Sequence, residues 1–115
     1  MNHMSSEYAV NTYYCFNKET GEQFTPDVQG YITPPVGSTL VFPSPYNDDI
    51  KQVMMEDVLI VNGSTPVKVQ FDGNERYPEY IPANGMFGYE RVPIHEIKIL
   101  SGGGSLFIRG LSSDT

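Results

Sequence analysis

The sequence predicts an all-β, single-domain β-sandwich of jelly-roll type, with about seven or eight short antiparallel strands and at most one helical turn. Three observations carry that expectation. Helical periodicity is nearly absent along the 115 residues. Runs rich in β-branched and aromatic residues recur at spacings of about 8–14 residues, the rhythm of a sandwich or barrel. Turn chemistry separates them: 11 Gly and 9 Pro gather in stretches such as "PPVG", "NGSTP", "DGNERYP" and "SGGGS". A chain of this length makes one domain and buries roughly two-thirds of its unfolded surface, enough for a core without disulfides.

Residues 1–6 are set aside as a disordered tail or cloning residues and 112–115 as a flexible tail, leaving 7–111 as the domain. "EYAVNTYYCF" (7–16) reads as the first strand and "NKETGEQ" as a polar loop after it. "VQGYIT" and "STLVF" are short strands on either side of "PPVG". "YNDDIKQVMMEDVL" offers Asn47 as a helix N-cap, acidic residues in the first turn, and apolar Ile50, Val53, Met54 and Leu59. It runs into β-branched "VLIV" at 58–61, so a turn or short helix over 47–52 is expected to feed a strand over about 53–61.

"PVKVQFD" (66–72) alternates cleanly, with Val67, Val69 and Phe71 on one face and Lys68, Gln70 and Asp72 on the other. "YIPANGMFG", with Pro82 and Asn84-Gly85, reads as a loop or turn. "IHEIKIL" and "SLFIRGL" are strands, pairing Ile97 with Ile99 and Leu106 with Ile108 on their respective faces. Between them stand Gly102, Gly103 and Gly104. A phosphate-cradling loop would end in Gly-Lys-Ser/Thr and open a helix. Here no lysine follows and the chain re-enters a strand, so the glycines are expected to turn a β-hairpin.

Charge and chemistry narrow the function classes. Fourteen acidic residues against seven basic ones give a net charge of −7. The basic residues, Lys18, Lys51, Lys68, Arg76, Arg91, Lys98 and Arg109, are scattered singly. No basic stripe forms, which argues against nucleic acid and against an anionic membrane as partners. Cys15 is the single cysteine, so it makes neither an intrachain disulfide nor a Cys-based zinc site, and it reads as a small buried hydrophobe. With neither a basic-then-apolar leader nor an apolar run long enough to cross a membrane, synthesis in a cytoplasm-like compartment is expected.

His95 would form a catalytic dyad with Cys15 or a serine, but no G-x-S-x-G turn accompanies it, and a solvent-facing or hydrogen-bonded strand histidine is expected. Asp48-Asp49, Glu56-Asp57 and "DGNE" lack the alternating ligands and closing Glu of an EF-hand. Asn62-Gly63-Ser64 matches a glycosylation sequon but reads as a turn. The expectation is therefore a protein without catalytic residues, cofactor or metal.

Residues 58–111 carry a more particular order. "VLIVNGSTPVKVQFDG" gives a strand ending in Val-Asn, a turn and a V-x-V-x-F-D-G strand; "YIPANGMFGYERVPIHEIKILSGGGSLFIRGL" follows with an I-P-A-x-G loop, an "IKIL" strand and "LFIRG". This order resembles the small virion structural proteins of tailed bacteriophages, of the capsid decoration (cement) type. The resemblance implies a non-enzymatic protein that stabilises the head through contacts with the major capsid protein and with itself, as a homo-oligomer and specifically a trimer. It implies a place on the capsid surface of the virion after synthesis in the host bacterial cytoplasm.

Under that resemblance the contact candidates are Tyr8, Tyr13 and Tyr14 in the N-terminal segment, and Phe42, Pro43, Pro45 and Tyr46 in "FPSPYNDD". Tyr13 and Phe16 suit core packing as well as contact. Two alternatives stand beside it: a head–tail or tail component, and a carbohydrate- or host-receptor-binding module. The latter would use a tyrosine face and Ca²⁺ at Asp48/Asp49, although no Trp platform is present. A cupin-type enzyme would need several histidines, and only His95 lies within 7–111.

Overall fold

The computed structural model of the chain describes residues 7–43, 53–90 and 92–113. Nine strands occur among them: β1 (Glu7–Asn11), β2 (Phe16–Asn17), β3 (Thr39–Val41), β4 (Glu56–Asn62), β5 (Val67–Phe71), β6 (Glu79–Ile81), β7 (Met86–Tyr89), β8 (Glu96–Ser101) and β9 (Leu106–Ser113). The one helical turn among the described residues is a 3₁₀ turn over Thr12–Tyr14. The strands form a four-stranded sheet of order β1-β9-β4-β7 and a five-stranded sheet of order β2-β3-β8-β5-β6, every pair antiparallel. The expected all-β sandwich is the observed fold, with nine strands in place of seven or eight.

Its winding follows from where the chain changes sheet. Ile32 pairs with Leu106 alongside β9, in line with β1. Residues 33–38, 63–66, 82–85 and 102–105 each then carry the chain from one sheet to the other. These arches lie against one another. The Gly63 N–H donates to Ser105 O at 2.9 Å, the Asn84 N–H to Gly63 O at 2.6 Å, and the Gly37 N–H to Ile99 O at 2.8 Å. Such nested, sheet-crossing connections are the Greek-key winding of a jelly roll.

Asn62 ties the arches together from the end of β4. Its Nδ2 lies 2.8, 3.1 and 3.0 Å from the carbonyl oxygens of Thr65, Ile81 and Pro82. Two amide protons thus serve three carbonyls from two arches.

Alternation along the strands fills the space between the sheets. Leu40, Ile97 and Phe71 stand in register on one inner face, and Ile108, Ile60 and Phe87 on the other. Ile60, Ile97, Ile99, Ile108, Leu40 and Phe42 belong to one fully enclosed cluster, each side chain contributing roughly 1.5–3 kcal/mol by leaving water. Where β6 and β7 leave the sandwich open, an aromatic group closes it: Phe71 lies 5.6 Å from Phe87 and 5.2 Å from Tyr89, centroid to centroid. The Tyr89 hydroxyl reaches Glu79 Oε1 across the opening at 3.5 Å.

Several elements differ from the sequence expectation, each for a local reason. "EYAVNTYYCF" is two strands in different sheets, because buried Thr12 hydrogen-bonds to the Gly30 carbonyl and the 3₁₀ turn carries the chain across. In "VQGYIT" only Ile32 pairs; Asp27 Oδ1 accepts the N–H groups of Gln29 and Tyr31 at 2.8 and 3.0 Å, holding a turn with Gly30 at φ +87°. "YIPANGMFG" is the end of β6, an arch and β7, with Asn84 at φ 60°.

"SGGGS" turns no hairpin, since β8 and β9 belong to different sheets. β4 begins at Glu56, later than expected, because Met55 pairs instead with Ile94 and Asp57 at φ 52° interrupts the register with β9. β9 extends through Ser113, where a tail was expected, and Ser112 Oγ donates to Met54 O at 2.9 Å. The expected turn or helix over 47–52 lies outside the described residues.

Candidate interaction surface

The chemistry-bearing candidates occupy structural positions. Asp72 Oδ1 accepts the backbone N–H groups of His95 and Glu96, both at 2.8 Å, and its Oδ2 lies 3.3 Å from His95 Nδ1. That carboxylate anchors the start of β8, and His95 is the exposed, hydrogen-bonded histidine expected. Cys15 is fully enclosed, and burial pushes its thiol far above the ordinary range, which keeps it protonated and unreactive. The sequon asparagine, Asn62, is 3% exposed with its Nδ2 committed to carbonyls, so no glycan attaches to the folded chain there. No group of three or more His, Cys, Asp or Glu arranged to hold a metal occurs among the described residues.

The surface carries a clearer signal. In the four-stranded sheet, Leu106, Ile108 and Gly110 of β9 point inward, so Phe107, Arg109 and Leu111 point out. Register places their neighbours in three outward rows. Tyr31, Phe107, Val61 and Met86 form one row, with the Tyr31 and Phe107 rings 6.0 Å apart. Asn11, Arg109, Leu59 and Gly88 form the next, and Ala9, Leu111 and Glu56 the third. Met86 is 69% and Leu111 42% exposed. A solvent-facing antiparallel sheet normally alternates apolar-in and polar-out; the outward positions of these rows are mostly apolar, with charges at Arg109 and Glu56 and at exposed Asp57 beside Glu56.

The opposite sheet behaves normally. Its outer side presents exposed Lys68 on β5 and half-buried Glu96 and exposed Lys98 on β8, with Gln70 on the same side but buried, and Lys18 Nζ meets Glu96 Oε2 at 2.7 Å. The Lys18 ammonium is held above its ordinary pKa by that hydrogen bond and by the carboxylate's charge. The two outer faces therefore differ in kind: one is solvated and ion-paired, the other is an apolar patch of the sort that marks protein contacts.

The contact candidates read from sequence are scattered by the fold. Phe42 is fully buried in the core and offers no surface to a partner, and Pro43 is buried beside it. Pro45 and Tyr46 lie outside the described residues. Tyr8 is half-buried against the core. Tyr13 and Tyr14 are exposed, Tyr14 edge-on to Phe16 at 5.1 Å and Tyr13 resting on Gly30, where a Cβ would come within 2.9 Å of its ring.

Sequence reading missed Leu59, Val61, Met86, Phe107 and Leu111. Its signal was available: "VLIV" and "LFI" are continuous apolar runs, the pattern of strands covered on both faces, unlike the strict alternation of β5. No protein-family model matches the chain, and neither a curated protein nor a solved structure matches it.

Proposed function

We propose that this protein is a non-enzymatic virion structural protein of a tailed bacteriophage, a decoration protein that stabilises the head through contacts with itself and with the major capsid protein. The observation that supports it best is the apolar outer face of the four-stranded sheet, on an otherwise acidic molecule. A decoration protein works by covering surface. It needs a rigid scaffold, here the arch-tied jelly roll, and an area whose burial outweighs the cost of ordering. The order of motifs over residues 58–111 agrees with that role, and the net charge of −7 suits a basic patch on a shell.

The test is co-sedimentation with shells assembled from the major capsid protein encoded in the same genome. Saturable binding at a fixed stoichiometry, with the shells' thermal disruption moved upward, is the expected result. Absence of binding across a full concentration series would overturn the proposal. Glycan-dependent thermal stabilisation, lost when Tyr77 and Tyr80 (67% and 63% exposed) are replaced by alanine, would move support to the sugar-binding alternative.

A further inference from the structure

We infer that Asn84 is a modification site: in the folded chain its side-chain amide is converted to a carboxylate by attack of the adjoining main chain, while the second Asn-Gly pair, Asn62-Gly63, is protected. This chemistry needs no partner and is independent of the proposed function.

Two Asn-Gly pairs occur, and the same reaction is open to both. The glycine nitrogen attacks the asparagine Cγ, and a new C–N bond closes a five-membered imide. The side-chain nitrogen leaves as ammonia, taking the proton of the glycine N–H. Water from the solvent then opens the imide at one of its two carbonyls, giving aspartate or isoaspartate. No oxidant or reductant takes part. Glycine favours ring closure because no Cβ crowds its nitrogen. The step therefore needs an asparagine side chain free to turn toward the backbone and a glycine N–H that can be released.

The two pairs differ on both counts. Asn84 is exposed, and its side chain makes no hydrogen bond among the described residues. It holds φ 60° as the third residue of a turn closed by the Gly85 N–H to Pro82 O at 3.0 Å, the type II position that asparagine shares with glycine. A single turn bond at an exposed site is released by local fraying. The Asn84 N–H can stay on Gly63 O meanwhile, since closure turns only the χ angles and ψ of Asn84.

Asn62 has no such freedom. It is 3% exposed, and its Nδ2 lies against the carbonyls of Thr65, Ile81 and Pro82. The Gly63 N–H donates to Ser105 O at 2.9 Å, and a Cβ on Gly63 would stand 2.6 Å from Ser105 Oγ. Ring closure at this pair requires two arches to part.

The product alters the arch end of the molecule. None of residues 33–38, 63–66, 82–85 or 102–105 is charged, so a carboxylate at position 84 is the first charge on the arches. The isoaspartate form also lengthens the main chain by one methylene just before Gly85, whose carbonyl accepts the Asn62 N–H at 2.9 Å.

Incubation of the purified chain in mildly alkaline buffer, followed by tryptic mass mapping, tests this. Cleavage after Lys51, Lys68, Arg76 and Arg91 puts Asn62 in peptide 52–68 and Asn84 in peptide 77–91. In the folded chain, peptide 77–91 is expected to become a substrate for isoaspartyl methylation at least roughly tenfold faster than peptide 52–68. In concentrated urea both peptides should convert at similar rates. A more acidic species should accumulate on anion exchange from the wild type and not from Asn84→Gly, in which glycine accepts the positive φ and supplies no amide. Equal rates at the two pairs in the folded chain, earlier conversion of Asn62, or an Asn84 that converts in urea and not in the fold would each overturn the inference. So would an acidic species that persists in Asn84→Gly. Should that variant fail to fold, the comparison of the two wild-type peptides decides alone.

Discussion

Gly102 and Gly103 are neighbours in the same glycine run, yet they do different physical work. Gly102 holds φ +88°, and a Cβ there would overlap the Pro66 carbonyl oxygen of the adjacent arch. Gly103 has nothing within 4 Å of an added Cβ, and its φ lies outside the left-handed region. Backbone freedom is thus required at one position and merely tolerated at the other. Gly102→Ala is expected to cost about 2 kcal/mol or more, because strain and overlap add. Gly103→Ala should be neutral or stabilising by up to ~1 kcal/mol, through the unfolded chain's lost freedom. Urea denaturation of the two variants checks the contrast, and equal costs would show that the arches do not pack as described. The sequence identified a glycine-dependent turn, but three identical residues carry no mark of which one meets a neighbouring backbone.

Among the elements, β5 was the most legible, because Val67, Val69 and Phe71 face a core while Lys68 faces water. The arches were the least. A hairpin and a sheet-crossing arch use the same glycines and Asn-Gly pairs, and the difference lies in which distant strand each flanking segment joins. β8 pairs with β3 and β5, whereas β9 pairs with β1 and β4. Only long-range pairing separates the two, and local turn chemistry does not encode it.

Asn62 shows what the arches gain from one another. As a turn residue it is ordinary, but at the end of β4 its amide bridges carbonyls from the 63–66 and 82–85 arches. Removing the amide takes its hydrogen bonds from the Thr65 and Ile81 carbonyls, while the Pro82 oxygen keeps the Gly85 N–H, so Asn62→Ala is expected to cost about 2 kcal/mol. Loss of amide-exchange protection should appear together at Gly63 and Asn84, whose N–H groups join neighbouring arches. A loss confined to Gly63 would mean that the arches open independently.

On the scale of the whole molecule, the sandwich is held closed at its margins by contacts that no local sequence pattern pairs. Lys18 on the N-terminal loop meets Glu96 of β8, and Tyr89 of β7 meets Glu79 of β6 across the open side between the sheets. Both titrating groups are shifted upward: Lys18 by its hydrogen bond to Glu96 and that carboxylate's charge, Tyr89 first by burial and then by the charge and hydrogen bond of Glu79. A raised folded-state pKa means that the native chain holds the proton more tightly than the unfolded one. The stabilisation is therefore complete below the unfolded values, about 10.5 for lysine and about 10 for tyrosine, and is lost as pH climbs through the folded values. Deprotonated Tyr89 would set a second negative charge against Glu79 in the gap between the sheets.

The urea midpoint is accordingly expected to stay level between about pH 7 and 9, as far as these two groups govern it, and to fall above about pH 10. Tyr89→Phe keeps the ring in its aromatic group but removes the ionising hydroxyl, so its midpoint should fall less steeply over the same range. Lys18→Met should remove the other share, and the double variant should be flatter than either single one. Identical alkaline slopes in wild type and Tyr89→Phe would show that the β6–β7 opening is not closed by this contact. The decline would then belong to the general charge of an acidic chain, whose self-repulsion grows as its lysines and exposed tyrosines lose their protons.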